Sequence, residues 1–254
     1  MMQRYFLYLS YDGANYCGWQ TQPNDITVQE VIETCLSTLL RCKTPVVGAG
    51  RTDSGVHARM MTAHFDADMD VAAAGTLLLR LNGMLPEDIA IHRIVPVNNC
   101  AHARFDALSR LYRYYITTQK SPFLTRTHCR IFNEPDVDRM NICAKVLFEF
   151  EDFSSFSKSH TDVKTNNCTI MQAEWEQRGH EYIFTIKANR FLRNMVRAIT
   201  GTLLDVGRGK LDEDGLRTII RAKDRRLAGI SVPAHALFLE EIEYPLSIFD
   251  EHLL

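Results

Sequence analysis

The sequence predicts an α+β fold of two units, each with a mostly antiparallel sheet and helices on one face. The length of 254 residues suits one large domain or two small ones. Over the first hundred residues, the apolar patterns follow the order strand, helix, strand, strand, helix, strand, and the second half is similar. The 46% hydrophobic and 24% charged fractions exclude a disordered or fibrous chain.

A capping box marks the first helix. Thr27 and Glu30 form the box, and apolar residues follow at helical spacing to about Cys42. The other elements predicted for the first half are a strand at 4–11, a short apolar segment at 45–49, a strand at 60–65, a helix at 71–81 and a strand at 89–95.

The second half repeats this mixture of strands and helices. Its predicted elements are strands at 111–118, 169–176, 182–188 and 237–244, helices at 137–148, 191–206 and 212–222, and a polar surface loop at 152–167. We therefore predict an N-terminal α+β unit at 1–107 and a C-terminal α+β unit at 108–254.

The net charge of −2 argues at first against a nucleic-acid partner, since such domains are often basic. The charge is divided into blocks, however. Residues 101–130 carry +5 and residues 187–226 carry +6, whereas residues 1–100, 131–186 and 227–254 carry −3, −5 and −5. The basic blocks are either solvated faces or parts of one surface that binds a polyanion.

The cysteines indicate a reducing compartment. There are seven, an odd number, and no C-x-x-C pair occurs, which argues against a disulfide framework or a thiolate zinc site. The N-terminus lacks the apolar region of a signal peptide, and no apolar run reaches the ~18 residues of a transmembrane helix. We expect a cytoplasmic protein that does not enter a membrane.

A glycine-rich motif, GAGRTDSGVHA, occupies residues 48–58. Its glycines permit a sharp turn and a close approach to a ligand. Arg51 and Asp53 can project to one side of an extended chain, and the arginine would keep the carboxylate ionised for nucleophilic or acid–base work. The alternatives are an ordinary turn or a phosphate cradle, although neither G-K-[ST] nor G-x-G-x-x-G is present.

Aromatic residues alternate with arginines in the predicted strand at 111–118 and just before it. Arg110, Tyr112 and Tyr114 share one face, which suits either stacking on unpaired bases or packing in the core. Upstream, the HARF stretch adds possible phosphate and base contacts from His102, Arg104 and Phe105.

An arginine stripe is predicted on the helix at 191–206. Arg190, Arg193 and Arg197 recur at i, i+3 and i+7 beside an apolar stripe. A solvated arginine face is less well supported, because no acidic residue lies between Lys187 and Asp205. No H-E-x-x-H or G-x-S-x-G motif occurs, so neither a metal site nor serine-hydrolase chemistry is expected.

Three motifs together closely resemble those of the TruA-type tRNA pseudouridine synthases: GAGRTDSGVHA, R-x-Y-x-Y after HARF, and ANRFLRNMVRAITGTLLDVGRGK. The likeness extends to PAHALFLEEIEY near the end of the chain. It implies a homodimer without cofactor or metal. Each chain would contain two α/β-sandwich, ferredoxin-like (RRM) units with mostly antiparallel sheets joined into one continuous sheet, and an active-site cleft between them. The implied reaction isomerises uridine to pseudouridine in the anticodon stem-loop of tRNA, at positions 38–40.

The resemblance also assigns roles to individual residues. Asp53 matches the essential aspartate, which either attacks C1′ or removes the 2′ proton. Tyr112 matches the tyrosine that stacks on the target base and serves in removing the C5 proton, and Arg197 matches the arginine that pairs with the aspartate. The remaining implied RNA contacts are Arg51, which assists base flipping, and His102, Arg104, Phe105, Lys120, Lys164, Arg193 and Leu237.

The chain departs from the family pattern in two places. The loop before Thr169 usually carries arginines, but here it reads KTNNC at 164–168, with Lys164 as its cation. The usual Gly-Leu pair near the end is Ala236-Leu237, which retains the apolar side chain.

The leading interpretation is therefore a tRNA-modifying isomerase that takes its target base out of the stack. The alternative is a catalytically inactive RNA-binding module on the same scaffold, because tyrosines and arginines suffice for binding. The predicted pair of Asp53 and Arg197 distinguishes the isomerase from the binding module, because RNA binding alone does not require a carboxylate paired with an arginine. A small-molecule phosphate enzyme has no motif support and leaves the basic segments unexplained.

Overall fold

The computed structural model describes residues 2–158 and 165–249. The chain forms two compact units: unit 1 combines Met1–Leu108 with Leu239–Leu254, and unit 2 is Ser109–Phe238. The first boundary lies one residue beyond the predicted 107/108 division. The C-terminal residues, placed by the sequence prediction in the second unit, are grouped with unit 1.

Unit 1 contains a sheet with the strand order β4-β1-β3-β9, in which β2 also pairs with β3. Its elements are β1 (Gln3–Tyr11), α1 (Val28–Leu40), β2 (Val47–Gly48), β3 (His57–Ala67), α2 (Ala74–Met84), β4 (Ile89–Val97) and, from Leu239 onward, β9 (Leu237–Glu243). Strand β1 is antiparallel to both β3 and β4. Its side chains from Tyr5 to Leu7 are fully buried, because a central strand is covered on both faces.

Unit 2 contains the antiparallel strand order β5-β8-β7, with the short β6 parallel to β5. Its elements are β5 (Ser109–Thr117), β6 (Cys129–Arg130), α3 (Val137–Ala144), β7 (Ile170–Arg178), β8 (Glu181–Ala188), α4 (Met195–Gly207) and α5 (Glu213–Ala222). Helix α4 is the central one, since ten of its 13 residues are buried. The α+β class with mostly antiparallel strands is confirmed.

The helix predicted at 191–206 begins later than expected. Asn194 has a φ of 67°, in the left-handed region, so α4 can begin only at Met195. Of the three arginines predicted on one helical stripe, only Arg197 lies on α4. The prediction of an i, i+3, i+7 stripe is therefore wrong, and Arg190 and Arg193 belong to the irregular segment before the helix.

Most other differences lie at the ends of elements, although the short strand β6 was not predicted. Helix α1 ends at Leu40 rather than near Cys42, because Arg41 takes a φ of 57°. The helix predicted at 137–148 is α3 followed by a 3-10 segment, Lys145–Glu149. Within the described ranges, no helix has both the length and the apolar composition needed to cross a membrane.

Candidate active site

Asp53 lies on the loop that connects β2 to β3 in unit 1. The residue is half-buried, and its carbonyl accepts a hydrogen bond from Val56 N (3.1 Å), which closes a turn. Gly55 continues that turn with a φ of 78°, a conformation that glycine adopts without strain. Arg51 is exposed on the same loop. The two side chains therefore lie on one short, tightly turned segment.

The segment from Asp12 to Trp19 packs against this loop. Gly55 N and Ser54 Oγ both donate to the carbonyl of Tyr16, each over 3.3 Å. Gly18 approaches so closely that a Cβ there would lie 2.2 Å from the carbonyl oxygen of Thr52, and its φ is 81°. Only glycine fits this position, and the loop gains a fixed support immediately on each side of Asp53.

A hydroxyl contact from β1 adds to this support. The hydroxyl of Tyr11 lies 2.9 Å from Thr52 Oγ1, one residue before the aspartate. Tyr11 is itself 4% exposed, so its ring is held by the core of unit 1. The loop is thus anchored to the end of a central strand, which restricts how far the Asp53 backbone can move.

Three predicted RNA contacts lie together on another loop of unit 1. Nδ1 of His102 accepts hydrogen bonds from the backbone N–H groups of Arg104 (3.1 Å) and Phe105 (3.4 Å). The rings of His102 and Phe105 lie 4.3 Å apart, and Phe105 is 73% exposed. The loop therefore presents an exposed ring and an exposed guanidinium side by side, as a stacking and phosphate-binding surface requires.

The buried His64 and the half-buried Tyr244 hold this loop at Ala103. Its N–H donates to Nδ1 of His64 (3.1 Å), and its carbonyl accepts from the hydroxyl of Tyr244 (2.5 Å). Burial, together with the nearby Arg4 and His102, lowers the pKa of His64 to about 4. The imidazole is therefore neutral at physiological pH and can act as an acceptor.

In unit 2, the tyrosines of β5 divide between two roles. Tyr112 is half-buried, and its ring meets that of Phe191 edge to face with centroids 5.2 Å apart. Tyr114, on the same face, is fully buried and donates its hydroxyl to the carbonyl of Pro233 (2.9 Å). Tyr114 is thus a core residue, whereas Tyr112 keeps part of its surface accessible.

Arg197 is the one predicted catalytic residue on a helix. It is half-buried on the first turns of α4, and its Nε donates to the carbonyl of Val232 (2.7 Å). The carbonyl of Arg197 in turn accepts from Val232 N (3.2 Å). The first bond orients the guanidinium, and the second holds Val232 against the backbone of α4. Guanidinium N–H groups are of the kind that bind a carboxylate in parallel.

The remaining predicted contacts are placed as follows. Arg193 is exposed in the turn before α4, and Lys120 is exposed beyond the end of β5. Leu237 begins β9 and is 5% exposed, so it presents little surface. Lys164 lies outside the described residues.

The sequence interpretation gave no role to several of these supporting residues. Phe191 lay within a quoted motif, but the start of the helix was misplaced, which hid its position beside Tyr112. The sequence patterns also gave no role to His64 and did not indicate the support from Tyr16 and Gly18. Tyrosine and glycine clustered between a strand and a helix could have signalled a backbone packed closely on another loop.

Unit 1 provides a carboxylate on an anchored loop and an exposed aromatic ring beside exposed cations, and unit 2 provides a half-buried tyrosine ring, an oriented guanidinium and further exposed cations. Among the described residues, no group of three or more His, Cys, Asp or Glu side chains is arranged to hold a metal ion. These groups suit acid–base or nucleophilic chemistry on a nucleic-acid substrate.

The sequence pattern of the tRNA pseudouridine synthases matches residues 8–106 and 150–245, more than half of the chain. The chain therefore belongs to the tRNA pseudouridine synthase family, whose members are isomerases. The resemblance drawn from the three motifs is confirmed.

Individual relatives match over nearly their whole length. A protein of Parabacteroides distasonis named tRNA pseudouridine synthase A is 56% identical over 248 residues, covering 98% of each chain. A Bacteroides fragilis protein of the same name is 54% identical over 98% of this chain and 99% of its own. The Bacillus subtilis protein of that name is 38% identical over 93% of this chain and 97% of its own.

Proposed function

We propose that this protein isomerises uridine to pseudouridine in the anticodon stem-loop of tRNA, at positions 38–40. The observation that carries the proposal is Asp53 on its anchored loop, in a chain that belongs to the pseudouridine synthase family. A passive RNA-binding surface would not need a carboxylate held in this way, since a negative charge opposes phosphate binding.

The reaction exchanges one bond to the sugar for another. The C1′–N1 bond of uridine breaks, the detached uracil rotates, and a C1′–C5 bond forms. C5 then loses a proton and N1 carries one, so nothing is gained or lost overall. The target base must first leave the helix stack, because its reacting atoms are otherwise inaccessible.

Asp53 acts at the sugar in this proposal, either by attacking C1′ or by removing the 2′ proton. Arg197 pairs with the aspartate and favours its charged form, which an unpaired carboxylate in a dry site would tend to lose. The orientation of the Arg197 guanidinium by Val232 supports this role. Tyr112 stacks on the uracil and serves in removing the C5 proton, a role supported by its partly accessible ring against Phe191.

The other predicted residues bind the RNA rather than react with it. Arg51 assists flipping of the target nucleotide, and the His102 loop with Arg104 and Phe105 contacts phosphate and an unpaired base. Lys120, Lys164 and Arg193 supply further cations. Leu237 supplies an apolar contact near the base. Exposure of Arg51, Arg104, Phe105, Lys120 and Arg193 supports these assignments.

An assay on unmodified tRNA transcripts tests the proposal. The protein is incubated with the RNA, and pseudouridine is mapped by chemical labelling. We expect product in the anticodon stem-loop with the wild type and none with Asp53→Asn, whose fold and tRNA binding should be retained. Asp214→Asn is the matched control, because that carboxylate is 92% exposed on α5 and should leave activity unchanged.

Two outcomes would contradict the proposal. Activity retained in Asp53→Asn would remove the aspartate from the mechanism. Binding of tRNA by the wild type without product in any transcript would favour the inactive RNA-binding module instead.

We further propose a cytoplasmic homodimer. All seven cysteines are free, which supports a reducing compartment. Large apolar side chains such as Phe123 and Phe132 are 90% and 85% exposed, which supports burial in an assembly. Sedimentation equilibrium should give about twice the 29.1 kDa chain mass, and a monomer at all concentrations would contradict this.

A further inference from the structure

The segment that orients Arg197 has no regular secondary structure. We call residues 228–232 the clamp segment, because Val232 bonds both the carbonyl and Nε of Arg197. No ladder or helix hydrogen bonds hold the clamp segment in place. The position of the Arg197 guanidinium therefore depends on the contacts that hold these five residues in place.

One side of the clamp segment lies directly on α4. Gly229 N donates to Thr202 Oγ1 (2.9 Å), and a Cβ on Gly229 would lie 2.8 Å from Thr202 N. Gly201 of α4 is closer still to the segment, since a Cβ there would lie 1.9 Å from the carbonyl oxygen of Ile230. The backbone of the clamp segment therefore packs directly on the backbone of α4. Because the residues in contact are glycines, no flexible side chain lies between the two backbones.

Arg225 also holds the clamp segment, through its guanidinium. Its Nη1 donates to the carbonyls of Ala228 (3.4 Å) and Gly229 (3.1 Å), and its Nη2 donates to Ser231 Oγ (2.7 Å). Ser231 Oγ also accepts from Asn194 Nδ2 (2.5 Å), the residue just before α4. One half-buried guanidinium thus connects three residues of the segment.

These acceptors are all neutral, which is unusual for a partly buried arginine. Burial lowers the pKa of Arg225 accordingly. A surface arginine normally lies beside a carboxylate, as the next residue does: Arg226 pairs with Asp224 (2.7 Å) and is 89% exposed. Arg225 therefore bonds two carbonyls and a hydroxyl of the clamp segment rather than an acidic partner.

We propose that Arg225 is a positioning residue for catalysis: it fixes the clamp segment, and through Val232 it fixes the guanidinium of Arg197. The proposal rests on the catalytic role proposed above for Arg197. Arg225 itself does not touch the substrate. Its loss lets Val232 shift, and a shift of about 1 Å in a reacting group is enough to reduce a rate by about 100-fold.

The test is the kinetics of Arg225→Met in the full chain with an unmodified tRNA transcript. We expect kcat to fall by about tenfold or more while KM changes by less than about twofold, because RNA contacts are untouched. The matched control is Arg226→Met, one residue along, which should retain both constants.

A double-mutant cycle separates positioning from general destabilisation. If Arg225 acts through Arg197, Arg225→Met should add no further loss of kcat to an Arg197→Lys background. Independent, additive losses would overturn the proposal. If thermal melting shows that Arg225→Met is unfolded at the assay temperature, Arg225→Lys takes its place in the same cycle.

The outcomes also distinguish this proposal from the proposed function. A wild-type protein that forms no pseudouridine contradicts the function itself. An active wild type whose Arg225→Met variant retains full kcat contradicts only the positioning role.

Discussion

His64 stabilises a loop by remaining neutral. Its Nδ1 accepts the N–H of Ala103, and that bond requires a lone pair that protonation would remove. Burial lowers the pKa of His64 to about 4, against about 6.5 for a free imidazole. Arg4, which contacts the same loop through the carbonyl of Ala101 (2.8 Å), lowers it further. The loop with Arg104 and Phe105 therefore depends on the ionisation of one buried ring.

This histidine predicts a pH dependence of stability. Since the folded pKa lies below the unfolded one, the contribution is complete above about pH 6.5 and is lost as the pH falls towards 4. We expect a loss of up to about 3 kcal/mol in the free energy of unfolding, measured by urea denaturation across this range. In His64→Asn, whose side-chain oxygen can replace Nδ1, that part of the slope should disappear; an unchanged slope would refute the assignment.

At the scale of elements, two glycines of unit 1 show opposite constraints. Gly18 has a φ of 81° and no room for a Cβ beside the Asp53 loop. Gly75, on α2, has a helical backbone, and a Cβ added there would meet nothing within 4 Å. The same substitution should therefore have opposite effects at these two positions.

Gly18→Ala should lower the free energy of unfolding by about 2 kcal/mol or more and reduce pseudouridine formation, because the loop carrying Asp53 must move. Gly75→Ala should raise stability by up to about 1 kcal/mol and leave activity unchanged, since alanine is the better helix former. Denaturant midpoints and the tRNA assay measure both effects. Equal stability of the two variants would contradict the close approach of Gly18 to Thr52.

Several elements could be predicted because their signals are local. Thr27 caps α1 as its capping box indicates, with Oγ1 accepting from Glu30 N (3.4 Å). The start of α4 could not be predicted, because no local pattern indicates the left-handed conformation of Asn194, whose side chain bonds Ser231 37 residues away. Likewise, the acceptor role of His64 requires Ala103, which lies 39 residues away in the chain. The motifs therefore indicated the residues of the candidate site. They did not indicate the contacts between distant parts of the chain that hold these residues in position.

At the scale of the whole molecule, the basic charge is carried by separate stretches of the chain. Five predicted contacts to RNA are cations: Arg51, Arg104, Lys120, Lys164 and Arg193. If each neutralises one phosphate, tRNA binding should weaken by roughly 100-fold or more between about 50 and 200 mM salt. Such a dependence identifies phosphate contacts, since stacking on Phe105 would be insensitive to salt.

The corresponding variant is Arg104→Met. It should weaken tRNA binding similarly for all sequences and reduce the slope of log K against log salt by about one. Filter binding over a salt series measures the slope. Arg226→Met, whose cation is paired with Asp224, serves as the comparison, and equal slopes for both variants would exclude Arg104 as a phosphate contact.

Unit 1 combines an N-terminal segment with residues that follow unit 2 in the chain. During translation, the unit therefore cannot be completed until those later residues have been synthesised. The 130 residues of unit 2 are made between Leu108 and Leu239, an interval of roughly ten seconds at ribosomal speed. During this interval β9 is absent, so the edge of β3 that it would pair with is open except where β2 pairs, and Ala103 lacks the hydroxyl of Tyr244. The unit that carries Asp53 is therefore completed only after every residue of unit 2 has been synthesised.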